Sequence, residues 1–101
     1  MKKYAVRISK PAQNDIYQVI DYISKIYKAP QTAESYLIGL FDTIFSLGNM
    51  AESILISTKT DILKYGMNAR SIVFKKVIIV YTVHGNIVLV KAVISGALIK
   101  S

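Results

Sequence analysis

The sequence predicts an α+β domain, a helical hairpin packed on an antiparallel β-meander, and three observations carry that reading. Val/Ile-rich runs crowd residues 69–95, joined by two short breaks. Apolar residues recur at helical spacing from Ala12 to Leu47. Between those halves the pattern changes period once, without a linker or a repeat, so residues 1–101 read as one domain with one core.

The meander organises the chain. Residues 70–74 are short and β-branched, 77–83 form a continuous apolar run, and 87–95 form a second long run. Such runs fit a pleated, largely buried surface. Lys75-Lys76 and His84-Gly85-Asn86 separate them, and Gly85-Asn86 can take the positive φ of a hairpin turn. Short connections force antiparallel neighbours. A lone meander is marginal in water, so the first half must cover its apolar face.

Residues 4–9 alternate weakly and read as a first strand. Lys10-Pro11 then opens a helix, with Ser9 the better capping residue. Ala12, Ile16, Val19, Ile20, Ile23 and Tyr27 form its apolar stripe, for about four turns. Lys28-Ala29-Pro30 breaks it. A second helix starts near Pro30 or Gln31 and runs to about Leu47, with Ala33, Leu37, Leu40, Phe41, Ile44 and Leu47 facing inward. Ile38 and Phe45 sit on a neighbouring face; they are either covered internally or hold a partner. Gly48-Asn49 is expected to end this helix. In the stretch 49–69, residues 53–57 suggest a short strand and 61–65 a helical turn.

Composition excludes several functions. There is no cysteine, hence no disulfide, thiolate nucleophile or Cys-zinc site, and one histidine, hence no multi-His metal site. No apolar run approaches the ~20 residues of a membrane span, and the N-terminal stretch is too polar for a signal-peptide core, so a cytoplasmic protein without membrane contact is expected. No Gly-rich phosphate loop, Ser-His-Asp set or carboxylate pair is present, and no cofactor is expected. The formal net charge is +7, and beyond Asp61 the chain carries Lys64, Arg70, Lys75, Lys76, Lys91 and Lys100 with no carboxylate. That field favours an acidic partner, although lysines also solubilise a greasy sheet and blunt its edges.

The order of these pieces resembles the RelE/ParE toxins of bacterial type II toxin–antitoxin systems. The resemblance rests on Tyr4-x-Val-x-Ile-Ser before Ala12-x-x-Asp15-Ile16-x-x-Val19-x-x-Tyr22-Ile23, on Pro30-x-x-Ala33-x-x-Tyr36-Leu37, and on Arg70 opening a strand ahead of Val77-Ile-Ile-Val-Tyr81 and Val88-x-Val90-x-x-Val93-Ile94. It implies a toxin that stabilises plasmids, arrests growth and is neutralised by an acidic antitoxin protein. Family members that cut mRNA on the ribosome carry a basic residue where Ile78 stands, and Arg with a late Tyr or His after the last strand. The segment Ser95-Gly96-Ala97-Leu98 keeps only the middle of the corresponding ParE segment. The resemblance therefore points to the gyrase-directed ParE branch, with DNA gyrase as target. The alternatives are a ribosome-dependent nuclease acting on mRNA, and a degenerate member that only binds antitoxin. No catalytic residue is assigned.

For contact with the target or antitoxin, the candidates are Arg70, Lys75, Lys76, Tyr81 and Lys91; Ile38 and Phe45 form the hydrophobic partner surface. Several have a plainer reading. Arg70 could pair with Asp15, Glu52 or Asp61, Tyr81 could be a core aromatic, and Lys75-Lys76 could be a solvated turn. His84, alone in a turn, is read as solvated. Without antitoxin, Ile38 and Phe45 would favour a homodimer.

Overall fold

The computed structural model of the chain describes residues 3–95. The order is β1 (Ala5–Ile8), α1 (Lys10–Tyr27), α2 (Pro30–Met50), a 3-10 turn (Ala51–Ser53), α3 (Thr60–Leu63), β2 (Arg70–Phe74), β3 (Val77–His84) and β4 (Ile87–Ser95). The strands form one sheet in the order β1-β4-β3-β2. The meander is antiparallel as its short turns require, whereas β1 runs parallel to β4. The long helical connection permits that parallel pairing.

The helical hairpin covers one face. Ala12, Ile16 and Val19 of α1 and Leu40, Ile44 and Leu47 of α2 are buried against Ile79, Tyr81, Val88, Val90 and Val93. Ser9 caps α1 by accepting from the Ala12 amide at 3.2 Å. The helix has 18 residues, five turns where the apolar spacing suggested about four. On the opposite face a smaller cluster, Ile62, Ala69, Val80 and Ala92, is roofed by α3 and the loop after it.

Strand β4 carries a bulge. Tyr81 pairs with Val90 while Val80 pairs with Ala92, so Lys91 is the extra residue. The bulge shifts the alternation by one position. Val88 and Val90 face the helices before it, and Val93 does so after it. The disturbed ladder is repaired from the helix side: Asp15 accepts from the Val93 amide at 3.0 Å, and the Ser9 hydroxyl donates to the Lys91 carbonyl at 3.4 Å.

Two expectations are corrected. Gly48-Asn49 does not end α2, which continues to Met50. Gly48 serves close approach instead: its carbonyl accepts from the Tyr4 amide at 2.8 Å, and an added Cβ would lie 3.2 Å from the Tyr4 carbonyl oxygen. Residues 53–57 form no strand. The Ile54 carbonyl accepts from Arg70, and Leu55 is 87% exposed. Among the described residues no helix is long and apolar enough to cross a membrane.

Removing the Asp15 carboxylate strands a backbone N–H at the bulge. Asp15→Ala is expected to cost about 1–3 kcal/mol. Asp15→Asn, which keeps an acceptor oxygen, should recover part of that in urea melts.

Candidate functional site

Three features hold most of the sequence-predicted residues, an anchored turn, an apolar groove and a basic hairpin tip; Ile38 and Lys91 lie outside them.

The turn follows α2. The Tyr81 hydroxyl donates to the Ala51 carbonyl at 2.7 Å. Arg70, opposite Tyr81 in the sheet register, donates from one guanidinium nitrogen to the carbonyls of Glu52 at 3.3 Å and Ile54 at 2.5 Å. The Tyr4 hydroxyl donates to the Glu52 carboxylate, which holds the Tyr4 phenol above its ordinary pKa. Arg70 therefore meets Glu52 through its main chain, not through the ion pair that the sequence left open. Asp15, a second candidate partner, is engaged at the bulge. Arg70's fork is suited to this task, because one planar cation satisfies several acceptors at once.

Tyr81 is a correction. Expected among the partner-contacting residues, it is wholly buried, so it bears on a partner only through the turn it holds. Burial pushes its hydroxyl up to about 12 against an ordinary 10, with the Arg70 charge opposing that rise. It stays a neutral hydrogen-bond donor at any physiological pH. His84 is exposed at the end of β3, with its Nε2 2.8 Å from the Thr82 hydroxyl.

The apolar groove, of about 770 Å3, runs between α1, α2 and β1. Ile16, Ile20, Leu37 and Phe41 line it with Val6 and Ile8. Phe45 lies at its border, stacked on Phe41 with centroids 6.1 Å apart, and is 52% exposed. Tyr17, also on its lining, is 71% exposed. Ile38 is 56% exposed but does not line the groove. Tyr17 is absent from the sequence-derived candidates. Its signal was legible: a large aromatic one step off the core stripe, on a face shared with Gln13, Asp21 and Ser24.

The basic residues do not converge on Arg70. Lys75 and Lys76 form the β2–β3 turn at φ of 42° and 71°. Left-handed backbone costs a residue with a Cβ about 1–2 kcal/mol. The turn is fastened by the Tyr36 hydroxyl, which donates to the Lys75 carbonyl at 3.1 Å, and by the Phe74 ring 5.5 Å beneath the Lys75 ammonium. Lys91 sits apart at the bulge. Ile78, where a basic residue marks the mRNA-cutting relatives, packs among Val80, Ala92 and Ile94 on the far face. The end segment that the resemblance used, beyond Ser95, lies outside the described residues. Among the described residues no group of three or more His, Cys, Asp or Glu is placed to hold a metal ion. The donors of Arg70 and Tyr81 are spent on main-chain carbonyls within the chain, while the apolar groove and the Lys75-Lys76 turn are open to solvent.

The Tyr81 assignment predicts an alkaline signature. The folded state keeps its phenol proton up to about 12, whereas the unfolded chain releases it near 10. The folded state binds more protons between those values, so stability falls as pH rises through that window. Tyr81→Phe should remove that part of the slope in pH-dependent denaturant melts. It should also lower stability at neutral pH by about 1 kcal/mol, for the lost bond to Ala51. Arg70→Ala should cost more, roughly 1.5–3 kcal/mol, because a charged donor is lost from two carbonyls.

Comparison with known proteins agrees with this geometry. A chain described as "Chromosomal ParDE TA system from P. aeruginosa" superposes with a TM-score of 0.73 over 92% of this chain and 96% of that one, at 11% identity. That likeness shows the fold. No curated protein sequence matches significantly. The family model for the ParE toxin of the type II toxin–antitoxin system parDE matches residues 6–98, nearly the whole chain. The chain belongs to the ParE toxin family of type II toxin–antitoxin systems.

Proposed function

We propose that this protein arrests growth by binding DNA gyrase, and that an acidic antitoxin neutralises it by laying an amphipathic helix in the groove between α1, α2 and β1. The observation that carries the reading is the groove itself. It is an open apolar trough of about 770 Å3, bordered by the half-exposed Phe45 and the more exposed Tyr17. An amphipathic helix fits such a trough through anchors spaced three and four residues apart. The apolar Ile78 at the position basic in mRNA-cutting relatives favours gyrase over the ribosome. Arg70 and Tyr81 act in this reading by holding the turn after α2 in shape. Lys75, Lys76 and Lys91 supply the positive field that draws the antitoxin in.

The partner is tested by co-expression with the product of the neighbouring gene and co-purification. Replacing both Tyr17 and Phe45 by Glu should weaken the complex at least ~30-fold, as loss of buried aromatic anchors does. Retention of wild-type affinity would remove the groove from the interface. The target is tested by running a gyrase supercoiling assay beside a translation assay with the purified protein. Inhibition of supercoiling alone is expected, and ribosome-dependent mRNA cuts would overturn the gyrase reading.

Without antitoxin, the exposed Ile38 and Phe45 favour a homodimer. Sedimentation equilibrium should find dimers in the wild-type protein and fewer in Ile38→Ser/Phe45→Ser. A strictly monomeric wild type at high concentration would count against it.

A further inference from the structure

A second groove, of about 780 Å3, lies on the other flank of α1, within the size range of small-ligand sites. Its lining combines three kinds of chemistry. Tyr22 and the half-exposed Ile26 of α1 supply aromatic and apolar surface. Lys75 and Lys76 of the β2–β3 turn supply two cations. Thr32 and Ser35 from the first turns of α2, and Ser95 at the end of β4, supply hydroxyls. No carboxylate lines it.

Ser95 is 5% exposed, yet among the described residues its hydroxyl meets no hydrogen-bond partner. Buried hydroxyls are ordinarily satisfied, so one left open on the wall of a groove is set for a ligand. The N-terminus of α2 adds to this. Its cap, Ala29, offers no side-chain acceptor, and its first turn holds no acidic residue. Such a terminus favours an anion. Among the described residues neither lysine has a carboxylate partner. Their turn is nevertheless fixed in place: the Tyr36 hydroxyl donates to the Lys75 carbonyl at 3.1 Å, and the Lys75 ammonium stands 5.5 Å from the Phe74 ring. Ammonium groups serve phosphates as compact point charges.

We propose that this groove binds a nucleoside diphosphate, with its phosphates on Lys75 and Lys76, its phosphoryl and ribose oxygens accepting from the Thr32, Ser35 and Ser95 hydroxyls, and its base against Tyr22 and Ile26. A free nucleotide fits better than a strand. A phosphate backbone calls for cations along the whole track, and here both sit in one turn. It also fits better than an inorganic anion, which would leave Tyr22 and Ile26 uncovered. The site uses neither the first groove nor a macromolecular target, so it stands or falls apart from the toxin reading.

The test uses the purified full chain and adenosine diphosphate carrying an N-methylanthraniloyl label, read by fluorescence anisotropy at physiological salt. The wild type should bind saturably with a Kd below ~1 mM, and unlabelled ADP should displace the probe. Lys75→Asn/Lys76→Gly removes both charges and places in the turn the residues that take its positive φ without strain, so the fold is kept. It should weaken binding at least ~10-fold, as loss of two charged phosphate contacts does. Ser95→Ala should weaken it about threefold or more, for one lost hydrogen bond. Lys59→Gln/Lys64→Gln removes the same charge from another surface and should leave binding within about twofold. Three results would overturn the proposal: no saturable binding by the wild type, equal loss in the two lysine variants, or wild-type binding by both the turn variant and Ser95→Ala. Displacement by inorganic pyrophosphate as effective as that by ADP would reduce the groove to an anion site and overturn the nucleoside assignment. Displacement by hexathymidylate at lower concentration than ADP would reassign it to nucleic acid.

Discussion

The hydrogen bond from the Val93 amide to the Asp15 carboxylate joins α1 to the central part of the sheet at the one place where the ladder is irregular. A strand with a strict two-residue period would present Val88, Val90, Ala92 and Ile94 to the helices. The bulge at Lys91 resets that phase, so Val93 faces the helices while Ala92 and Ile94 turn to the cluster under α3. Both cores depend on the reset. It leaves main-chain groups that must be satisfied inside the protein. Asp15 and Ser9, on and just before α1, satisfy two of them, so the helix that fills the core also fixes the register of the strand beneath it.

What could be read in advance follows from where the information sits. The helical stripes and the β-branched runs are local, and α1, α2 and the meander fall where those patterns put them. Gly48 shows the limit. Glycine near the end of an apolar stripe reads locally as a helix stop, but here it answers to Tyr4, far away in sequence, whose backbone passes against it. Residues 53–57 have strand-like composition, yet the Ile54 carbonyl accepts from the Arg70 side chain and the stretch joins no sheet. The parallel seat of β1 has no local signature, because any edge strand of this length alternates in the same way. The left-handed lysines run against turn preference, so composition alone points to an ordinary solvated turn.

The site was legible in its residues more than in their roles. Arg70 and Tyr81 stood out by type and position, and they do lie opposite each other in the sheet. A core place for Tyr81 was one of the readings left open; what the sequence did not tell is that Tyr81 and Arg70 are both used on main-chain carbonyls of the turn after α2. A guanidinium is as well suited to three-dimensional scaffolding as to recognition, and type alone does not separate the two. The apolar groove was half visible. Phe45 and Ile38 broke the inward stripe of α2, while Tyr17 passed as one more surface tyrosine among seven.

If a partner is held as proposed above, the apolar groove and the cationic turn act on it at different distances. Contacts in the apolar groove act only at van der Waals range, after water has left, and so set how long a complex lasts. The lysine turn and the other cations beyond Asp61 act over about a Debye length, near 8 Å in physiological salt, and so set how often encounters are productive. The same charge has a second effect. Two copies of a chain at +7 repel each other while their exposed aromatic residues attract, whereas an acidic partner meets attraction in both respects. Adding salt weakens the repulsion between copies and the attraction to the partner together. The balance between self-association and capture is therefore a property of the charge distribution, and a change at Phe45 or at Lys75-Lys76 would move it from opposite ends.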